Sequence, residues 1–425
     1  MLNTELYTRD IPLIYQQFAE VIGANHWHRR VRHCEAEVRG NPFLEDFLKR
    51  ENSIAFQLNQ LGDLLERYQQ RPPIHLIENR AFYPAMRFAS QILSMMTASM
   101  RGDAEGLRRR VHGALSNPDD LRGLMLELTA ATHFLRRGRT VRWPEMDKTG
   151  TFDLLIEDMG NGGLEVECKS ISPDKGRRIH RREAIDFQGL MKPHLKPIAA
   201  SLEGGLCAVL TLPNRLPTAH KDRQQLAKEA ARAILIGKDS TLTNGETVRI
   251  KDFDPYTLGP YPLQQTTKEV RGLLDKISET DNREAMIIKS RKEGIFTFFI
   301  QSQQDDNLLK AMFDTLSDAS KRQLTKKRAG LLLASLEGID SNQLRSLGQH
   351  DESATATPTA IRVGADRFLR SEERNHLVGV GFLASEELVE DPKSVESGGA
   401  AYYFQRRESQ YWSTDFSGLF HWDGS

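Results

Sequence analysis

The chain has 425 residues, enough for two or three domains, and its 58 Lys and Arg are matched by 58 Asp and Glu. A zero formal net charge excludes a protein that is basic over its whole surface, so any contact with nucleic acid must be local. The three cysteines, Cys34, Cys168 and Cys207, form neither a disulfide framework nor a zinc knuckle, which favours a reducing, cytoplasmic location.

Residues 1–118 are predicted to be mostly helical. The runs "IPLIYQQFAEVIG" and "SIAFQLNQLGDLLERYQQ" place apolar residues three and four positions apart, and Pro72-Pro73 ends the second run. The first residues lack the basic start and apolar core of a secretory signal peptide. No run of about 18 apolar residues occurs either, so we expect no membrane partner.

Residues 119–212 change from helices alone to alternating helices and strands. A helix, "NPDDLRGLMLELTAATHFLRRG", begins with acidic residues and carries a stripe of leucines. The strand candidate "RTVRW" follows, and then "TFDLLIED" and "LEVECKSIS", which the glycine-rich "MGNGG" joins into a hairpin. The helical "RREAIDFQGLMKPHLKPIAASL" precedes the buried strand "LCAVLTL". This order predicts an α/β core, αβββαβ, with a mixed sheet and a crossover.

Residues 213–425 are predicted to form an α/β C-terminal extension. Apolar runs such as "GIFTFFIQ", "AGLLLASL" and "HLVGVGFLA" are typical of strands, and "NLLKAMFDTLSDAS" is typical of a helix between two of them. The sequence therefore predicts three segments: a helical N-terminal region (1–118), a core (119–212) and this extension (213–425).

The hairpin within residues 152–170 places acidic and basic side chains on one face. Side chains alternate across a strand, so Glu167 and Lys169 share a face, while Val166 and Cys168 point into the core. A turn centred near residue 161 sets Asp153 across from Lys169, and a two-residue shift sets it across from Glu167. Both registers predict two carboxylates and one ammonium within a few ångströms of each other.

Such a group suits metal-assisted phosphodiester hydrolysis. Two carboxylates hold Mg²⁺ through one or two oxygens and leave water and phosphate to complete its coordination. The metal lowers the pKa of its bound water and stabilises the charge of the phosphate. A lysine beside it can position or deprotonate that water, or bind phosphate oxygens.

The stretch "KTGTFDLLIEDMGNGGLEVECKSIS" resembles the active-site hairpin of the PD-(D/E)xK nuclease superfamily, which has the restriction-endonuclease-like fold. In that family an aspartate opens the second core strand and the "ExK" lies on the third, which implies catalytic roles for Asp153, Glu167 and Lys169. A glutamate on the preceding helix is matched by Glu127. A glutamine on the following helix is matched by Gln188 in "FQGLMK". The resemblance implies that Glu127, Asp153 and Glu167 hold Mg²⁺ or Mn²⁺.

A basic run directly follows the hairpin and predicts contact with phosphates. Such a run adds salt-dependent affinity without reading base sequence. The expected nucleic-acid-binding residues are Lys175, Arg177, Arg178, Arg181, Arg182 and Lys192. The resemblance implies duplex DNA as the substrate and a role in prokaryotic defence or DNA processing.

Alternatives remain open at this point. The "EVECK" face could be an ordinary solvated strand, or the chain could be a catalytically silent nucleic-acid-binding or assembly module with the same fold. Glu165 has the right strand parity to replace Glu167 as a ligand, but no lysine follows it two residues later. The sequence also leaves open whether the protein works as a homo-oligomer or with an accessory protein subunit.

Overall fold

The computed structural model describes residue 2 and residues 6–98, 101–145, 148–258, 268–280, 285–336, 338–391 and 394–420. The chain divides into two compact units. The first comprises Met1–Arg32, Glu51–Lys175 and Leu308–Ser425, and the second comprises His33–Arg50 and Gly176–Asn307. Among the described residues, no helix is both long enough and apolar enough to cross a membrane.

The segment before residue 118 is helical, as predicted. Its helices are α1 (Ile11–Phe18), α2 (Asn25–Gly40), α3 (Glu45–Glu51), α4 (Ser53–Arg67), α5 (Ile74–Ile77), α6 (Tyr83–Ala98) and α7 (Arg101–Ser116). Helix α4 ends before the predicted Pro72-Pro73 stop because Gln69 and Gln70 take positive φ angles, which break the helical hydrogen bonding. In the first unit, the Phe18 ring stacks on Trp27 in an apolar core to which α1, α2, α4, α5, α6 and α7 contribute.

Helices and strands alternate through the rest of the chain. In chain order they are α8 (Pro118–Arg136), β1 (Val141–Arg142), β2 (Leu154–Ile156), β3 (Leu164–Ile171), α9 (Arg181–Met191), α10 (Lys196–Ser201), β4 (Gly205–Leu212), α11 (His220–Ile236), β5 (Ser240–Thr241), β6 (Thr247–Phe253), α12 (Lys268–Ser278), β7 (Met286–Lys289), β8 (Ile295–Ser302), α13 (Leu308–Arg322), β9 (Ala329–Leu336), α14 (Ser341–Glu352), α15 (Ala360–Leu369), β10 (Leu377–Asp391) and β11 (Ser394–Gln405). The fold is therefore α/β.

Helix α8 starts where the acidic sequence predicts it. The Asn117 side chain accepts a hydrogen bond from the Asp119 backbone N–H at 3.1 Å, and a proline occupies the first helical position. Leucines of the predicted stripe are buried against the helical core, among them Leu124 and Leu128. Glu127 is carried inward by the same helix and is buried.

The first unit contains a six-stranded mixed sheet in the order β1-β2-β3-β9-β10-β11. Strand β2 runs antiparallel to both β1 and β3, β3 runs parallel to β9, and β9 runs parallel to β10. Strand β11 closes the order antiparallel to β10. Glu167 pairs with Leu332 and Lys169 with Ala334, so β3 lies inside the sheet rather than at its edge.

The prediction placed one strand in the wrong sheet. The run "LCAVLTL" forms β4, which belongs to a second sheet, and the neighbour of β3 is β9, which follows helix α13. Both runs are short, apolar and preceded by a helix, so local pattern does not distinguish them. Only the pairing of residues far apart in the chain decides which strand lies beside β3.

The second unit has its own mixed sheet, in the order β5-β6-β4-β8-β7, with β4 parallel to β8 and the other neighbours antiparallel. Strand β4 is buried on both faces. Ala208 and Leu210 pack into one apolar cluster with α11, and Cys207 and Val209 pack into another with α12. The unbroken apolar pattern of this strand is explained by burial on both sides.

The larger segment of the second unit, Gly176–Asn307, is inserted between β3 and α13 of the first unit. Its two ends are bonded together. The Asn307 backbone N–H donates to the Gly176 carbonyl at 2.8 Å, and the Arg177 guanidinium pairs with the Asp306 carboxylate at 2.9 Å. The predicted segment 119–212 therefore spans parts of both units. Chain ends that lie side by side are typical of an inserted domain.

Candidate active site

The β2–β3 hairpin sets the position of the predicted site residues. Leu154 pairs with Val166, and continuing this register by one residue sets Asp153 across from Glu167, the second of the two predicted registers. The glycine-rich turn requires Gly163, whose φ is +89° and where an added Cβ would meet the Ile156 carbonyl oxygen at 3.1 Å. The turn therefore fixes which carboxylates face each other.

Three buried carboxylates, Glu127, Asp153 and Glu167, come together in the first unit and are called the carboxylate cluster here. Their exposed fractions are 4%, 8% and 0%. Asp153 Oδ2 accepts the Cys168 backbone N–H at 2.8 Å, and Lys169 Nζ donates to Glu167 Oε1 at 2.5 Å. Val166 and Cys168 point the other way into the helical core, as the alternation predicts.

Burial and mutual repulsion raise the pKa values of the cluster. Burial is the largest cause for Glu127 and Glu167, the charge of Asp153 is the next, and the pKa of each rises from 4.5 to about 8. Burial also raises the pKa of Asp153, although the Cys168 N–H and the Lys169 ammonium oppose this rise. The folded protein therefore favours protons, or another cation, in the cluster.

Lys169 keeps its positive charge in this setting. Burial alone lowers the pKa of an ammonium, but the adjacent Glu167 carboxylate outweighs that effect and raises the pKa of Lys169 above its usual value. A protonated lysine donates hydrogen bonds and cannot accept a proton. In this state Lys169 suits binding of a phosphate oxygen or orientation of water, not general-base catalysis.

Two residues of the site were not predicted from the sequence. Arg110 Nη2 on α7 donates to Glu127 Oε1, and Arg110 Nη1 lies 3.5 Å from Glu145 Oε2. Glu145 follows β1 and is largely exposed. The run "GLRRRVHG" contains three consecutive arginines, and nothing in its pattern distinguishes the last one, Arg110, from the other two.

Glu165 lies on the same face of β3 as Glu167, but both of its carboxylate oxygens are bonded to other parts of the protein. Its two carboxylate oxygens accept from the Thr325 backbone N–H, at 2.8 Å, and from the Thr325 hydroxyl. Arg328 Nε lies 3.3 Å from the same carboxylate. These contacts anchor the α13–β9 loop to β3, so Glu165 is a structural acceptor and does not replace Glu167 in the carboxylate cluster.

The donor set of the carboxylate cluster fits a hard divalent cation. Glu127 Oε2 and Glu167 Oε2 are buried and have no hydrogen-bond partner, and carboxylate oxygens are the ligands that Mg²⁺ and Mn²⁺ prefer. With Arg110 and Lys169 paired to the cluster, however, the described part of the chain contains no group of three or more His, Cys, Asp or Glu arranged to hold a metal. The oxygens fit the ion, but in this conformation they are not arranged around it.

Gln188 and Lys192 belong to the second unit, whereas the carboxylate cluster belongs to the first. Gln188 is buried on α9, and Lys192 is exposed just after that helix with its ammonium 5.2 Å from the centre of the Phe43 ring. The two side chains are therefore in different environments. In the first unit, the helix between β3 and its parallel neighbour is α13, which contains no glutamine.

Three of the six basic residues expected to contact nucleic acid, Arg177, Arg178 and Arg182, take part in ion pairs or hydrogen bonds of the second unit. Besides the Arg177 ion pair, the Arg178 backbone N–H donates to Asp306 at 2.8 Å. Arg182 pairs with Glu37, and with Asp186 at 3.1 Å. Arg181 is the first residue of α9, and Lys175 is an exposed residue of the first unit. Phosphate binding by Arg177 or Arg182 would have to compete with these carboxylates.

Comparison with known proteins does not assign the chain to a family. No protein-family model matches the sequence, and neither a curated protein nor a solved structure matches it. Evidence for function therefore comes only from the carboxylate cluster and from the fold of the first unit.

Two glutamates on one face of β3 should respond in opposite ways to the same change. Glu165→Gln should lower the melting temperature, because it replaces a fully bonded carboxylate with a weaker acceptor at a cost of about 1–3 kcal/mol. Glu167→Gln should raise the melting temperature of the metal-free protein near pH 8, because it removes one of the mutually repelling charges. Melting scans in EDTA test both, and equal shifts in one direction would contradict the assignment.

The carboxylate cluster should also make stability depend on pH. Between 4.5 and about 8, the folded protein retains protons on Glu127 and Glu167 that the unfolded chain has released, so stability should fall as pH rises through this window. We expect the metal-free wild type to melt at a higher temperature at about pH 6 than at about pH 8.5. Because other groups also titrate, the wild type is compared with Glu167→Gln. The melting temperature of this variant should depend less on pH than that of the wild type.

Proposed function

We propose that the chain is a metal-dependent nuclease of the PD-(D/E)xK type that hydrolyses phosphodiester bonds, with duplex DNA as its substrate. The observation that carries this proposal is the convergence of Glu127, Asp153 and Glu167 with the charged Lys169 at one buried point. Buried like charges cost stability, so their retention at one point favours a functional role.

The topology of the first unit supports the proposal. Helix α8, strands β1, β2 and β3, helix α13 and strand β9 follow one another as helix, three strands, helix and strand in one mixed sheet. Asp153 directly precedes the second strand, Glu167 and Lys169 lie on the third, and Glu127 lies on the first helix. This is the arrangement that the resemblance implies once Gly176–Asn307 is treated as an insertion.

Glu127, Asp153 and Glu167 would hold Mg²⁺ or Mn²⁺ through their oxygens, directly or through water. When bound, the ion would supply an activated water and charge stabilisation for the phosphate. The Cys168 N–H holds the Asp153 carboxylate in position, which reduces its freedom before substrate arrives. The apolar core packed against β3, which includes Val166 and Cys168, excludes water from the cluster. Each electrostatic contact in the cluster is stronger for that reason.

Lys169 would bind the scissile phosphate or orient the attacking water. Its ammonium is held by Glu167 and a quarter of its side chain is exposed, so it can reach a ligand without leaving the cluster. Because Lys169 is protonated, it would donate hydrogen bonds to negative oxygen, and any base for the water would have to be another group.

A second candidate is a catalytically silent nucleic-acid-binding or assembly module. The observation that favours it is that Arg110 and Lys169 already pair with Glu127 and Glu167, and that the described residues hold no group arranged for a metal. Incubation with labelled DNA and RNA in Mg²⁺, Mn²⁺ or EDTA separates the two candidates. A nuclease cleaves in either metal and not in EDTA, and a silent module cleaves in none.

Lys169→Met should lower the rate of DNA cleavage by at least about 100-fold, because the variant keeps the apolar stem and loses the hydrogen-bond donor to negative oxygen. Nucleic-acid binding in EDTA and the circular dichroism spectrum should change little. Lys310→Met is the matched control, since that lysine pairs with Asp314 on the surface of α13 at 2.7 Å. Wild-type rates from Lys169→Met would remove Lys169 from the mechanism.

Mn²⁺ should raise the melting temperature of the wild type, because an ion that binds only the folded state stabilises it by mass action. At a free concentration of about 100 times Kd the gain is about 2.7 kcal/mol. Asp153→Asn should lose most of this gain and lose cleavage, whereas Asp314→Asn, on the surface of α13, should keep both. A wild type that neither responds to millimolar Mn²⁺ nor cleaves DNA would favour the silent module.

A further inference from the structure

Among the residues that the structure describes, Arg110 is the guanidinium that pairs with the carboxylate cluster. It bridges two different carboxylates: its Nη2 donates to buried Glu127, and its Nη1 lies 3.5 Å from Glu145 Oε2. The Glu127 side chain is 5% exposed and the Glu145 side chain is 56% exposed. One half of the guanidinium is thus committed to the site and the other half to a residue at the protein surface.

The charge around this arginine is not balanced. The carboxylate cluster and Glu145 carry four negative charges when all are ionised, and Arg110 and Lys169 supply two positive charges. The remaining two negative charges equal the charge of one divalent cation. The buried Glu127 Oε2 and Glu167 Oε2, which have no hydrogen-bond partner, are where that charge is least compensated.

We infer that Arg110 is a built-in counter-ion of Glu127, and that a divalent metal ion displaces it from that carboxylate. This inference rests on the proposed function and concerns its regulation. With Arg110 in place, the described residues hold no group arranged for a metal ion, and the guanidinium occupies Oε1, one of the two Glu127 oxygens that a metal ion would share. A guanidinium and a divalent cation repel each other, so both cannot share the cluster without cost.

Glu145 provides the place to which the displaced guanidinium moves. Because Glu145 is exposed, it can hold the arginine at the rim of the site while Glu127 is released to the metal. The two parallel N–H groups of a guanidinium match the oxygens of a phosphodiester. Metal binding would therefore add a phosphate-binding group to the site, so metal and substrate should strengthen each other's binding.

The test measures Mn²⁺ binding in the absence of nucleic acid, from the electron paramagnetic resonance signal of free Mn²⁺ during titration of the full-length protein. Arg110→Gln should bind Mn²⁺ at least about tenfold more tightly than the wild type, which corresponds to about 1.4 kcal/mol. Arg109→Gln is the matched control, since Arg109 is an exposed neighbour on the same helix, and it should bind like the wild type. Equal or weaker binding by Arg110→Gln overturns the inference.

Arg110→Lys is the second variant, in case Arg110→Gln leaves the buried carboxylates too poorly compensated to fold in EDTA. A lysine keeps the charge but cannot bridge Glu127 and Glu145 with two separate N–H groups, so its affinity for Mn²⁺ should lie above that of the wild type. If Arg110→Lys binds no more tightly than the wild type, the inference fails. The inference also fails if neither the wild type nor any of the variants binds Mn²⁺.

The coupling to substrate is measured with the Lys169→Met protein, which should bind duplex DNA without rapid turnover. Mn²⁺ should strengthen DNA binding when Arg110 is present, and Arg110→Gln should lose most of this gain. The failures of the two proposals are distinguishable. Tighter Mn²⁺ binding by Arg110→Gln without DNA cleavage by the wild type keeps the inference and removes the nuclease. If the wild type cleaves DNA and Arg110→Gln binds Mn²⁺ with unchanged affinity, the nuclease proposal stands and the inference about Arg110 fails.

Discussion

The repulsion among the buried carboxylates of Glu127, Asp153 and Glu167 is the constraint on which the rest of the site depends. Apolar packing beneath β3 removes water from these groups, and their charges then raise one another's pKa values. Each surrounding feature offsets part of this cost: the Cys168 N–H at Asp153, the Lys169 ammonium at Glu167 and the Arg110 guanidinium at Glu127. The cost that remains is what a divalent cation would remove.

Glu165 and Glu167 show that burial of a charge does not by itself indicate a functional site. Both side chains are fully buried and both lie on one face of β3. Glu165 has donors on both oxygens from the α13–β9 loop, so it supports the fold, whereas Glu167 retains a buried oxygen without a partner. The number of satisfied oxygens separates a structural carboxylate from one that can take a ligand.

The insertion of Gly176–Asn307 explains why local sequence patterns assigned one strand to the wrong sheet. A helix and an apolar strand follow β3 immediately in the chain, and an αβββαβ order can be completed with them. The same order can be completed with α13 and β9, more than a hundred residues later, and these are the elements that lie in the sheet of β3. Gln188, which was assigned through the nearer helix, belongs to the inserted unit for the same reason.

The sequence by itself determined the helical N-terminal region, the start of α8, the β2–β3 hairpin and the face shared by Glu167 and Lys169. These features follow from caps, periodicity and turn residues that lie close together in the chain. Only the tertiary structure decided that β9 pairs with β3, that Arg110 and Glu145 join the carboxylate cluster, and that Thr325 satisfies Glu165. Those outcomes depend on contacts between residues far apart in sequence, because the free energy of burying a charge is set by whichever distant donors the fold brings to it.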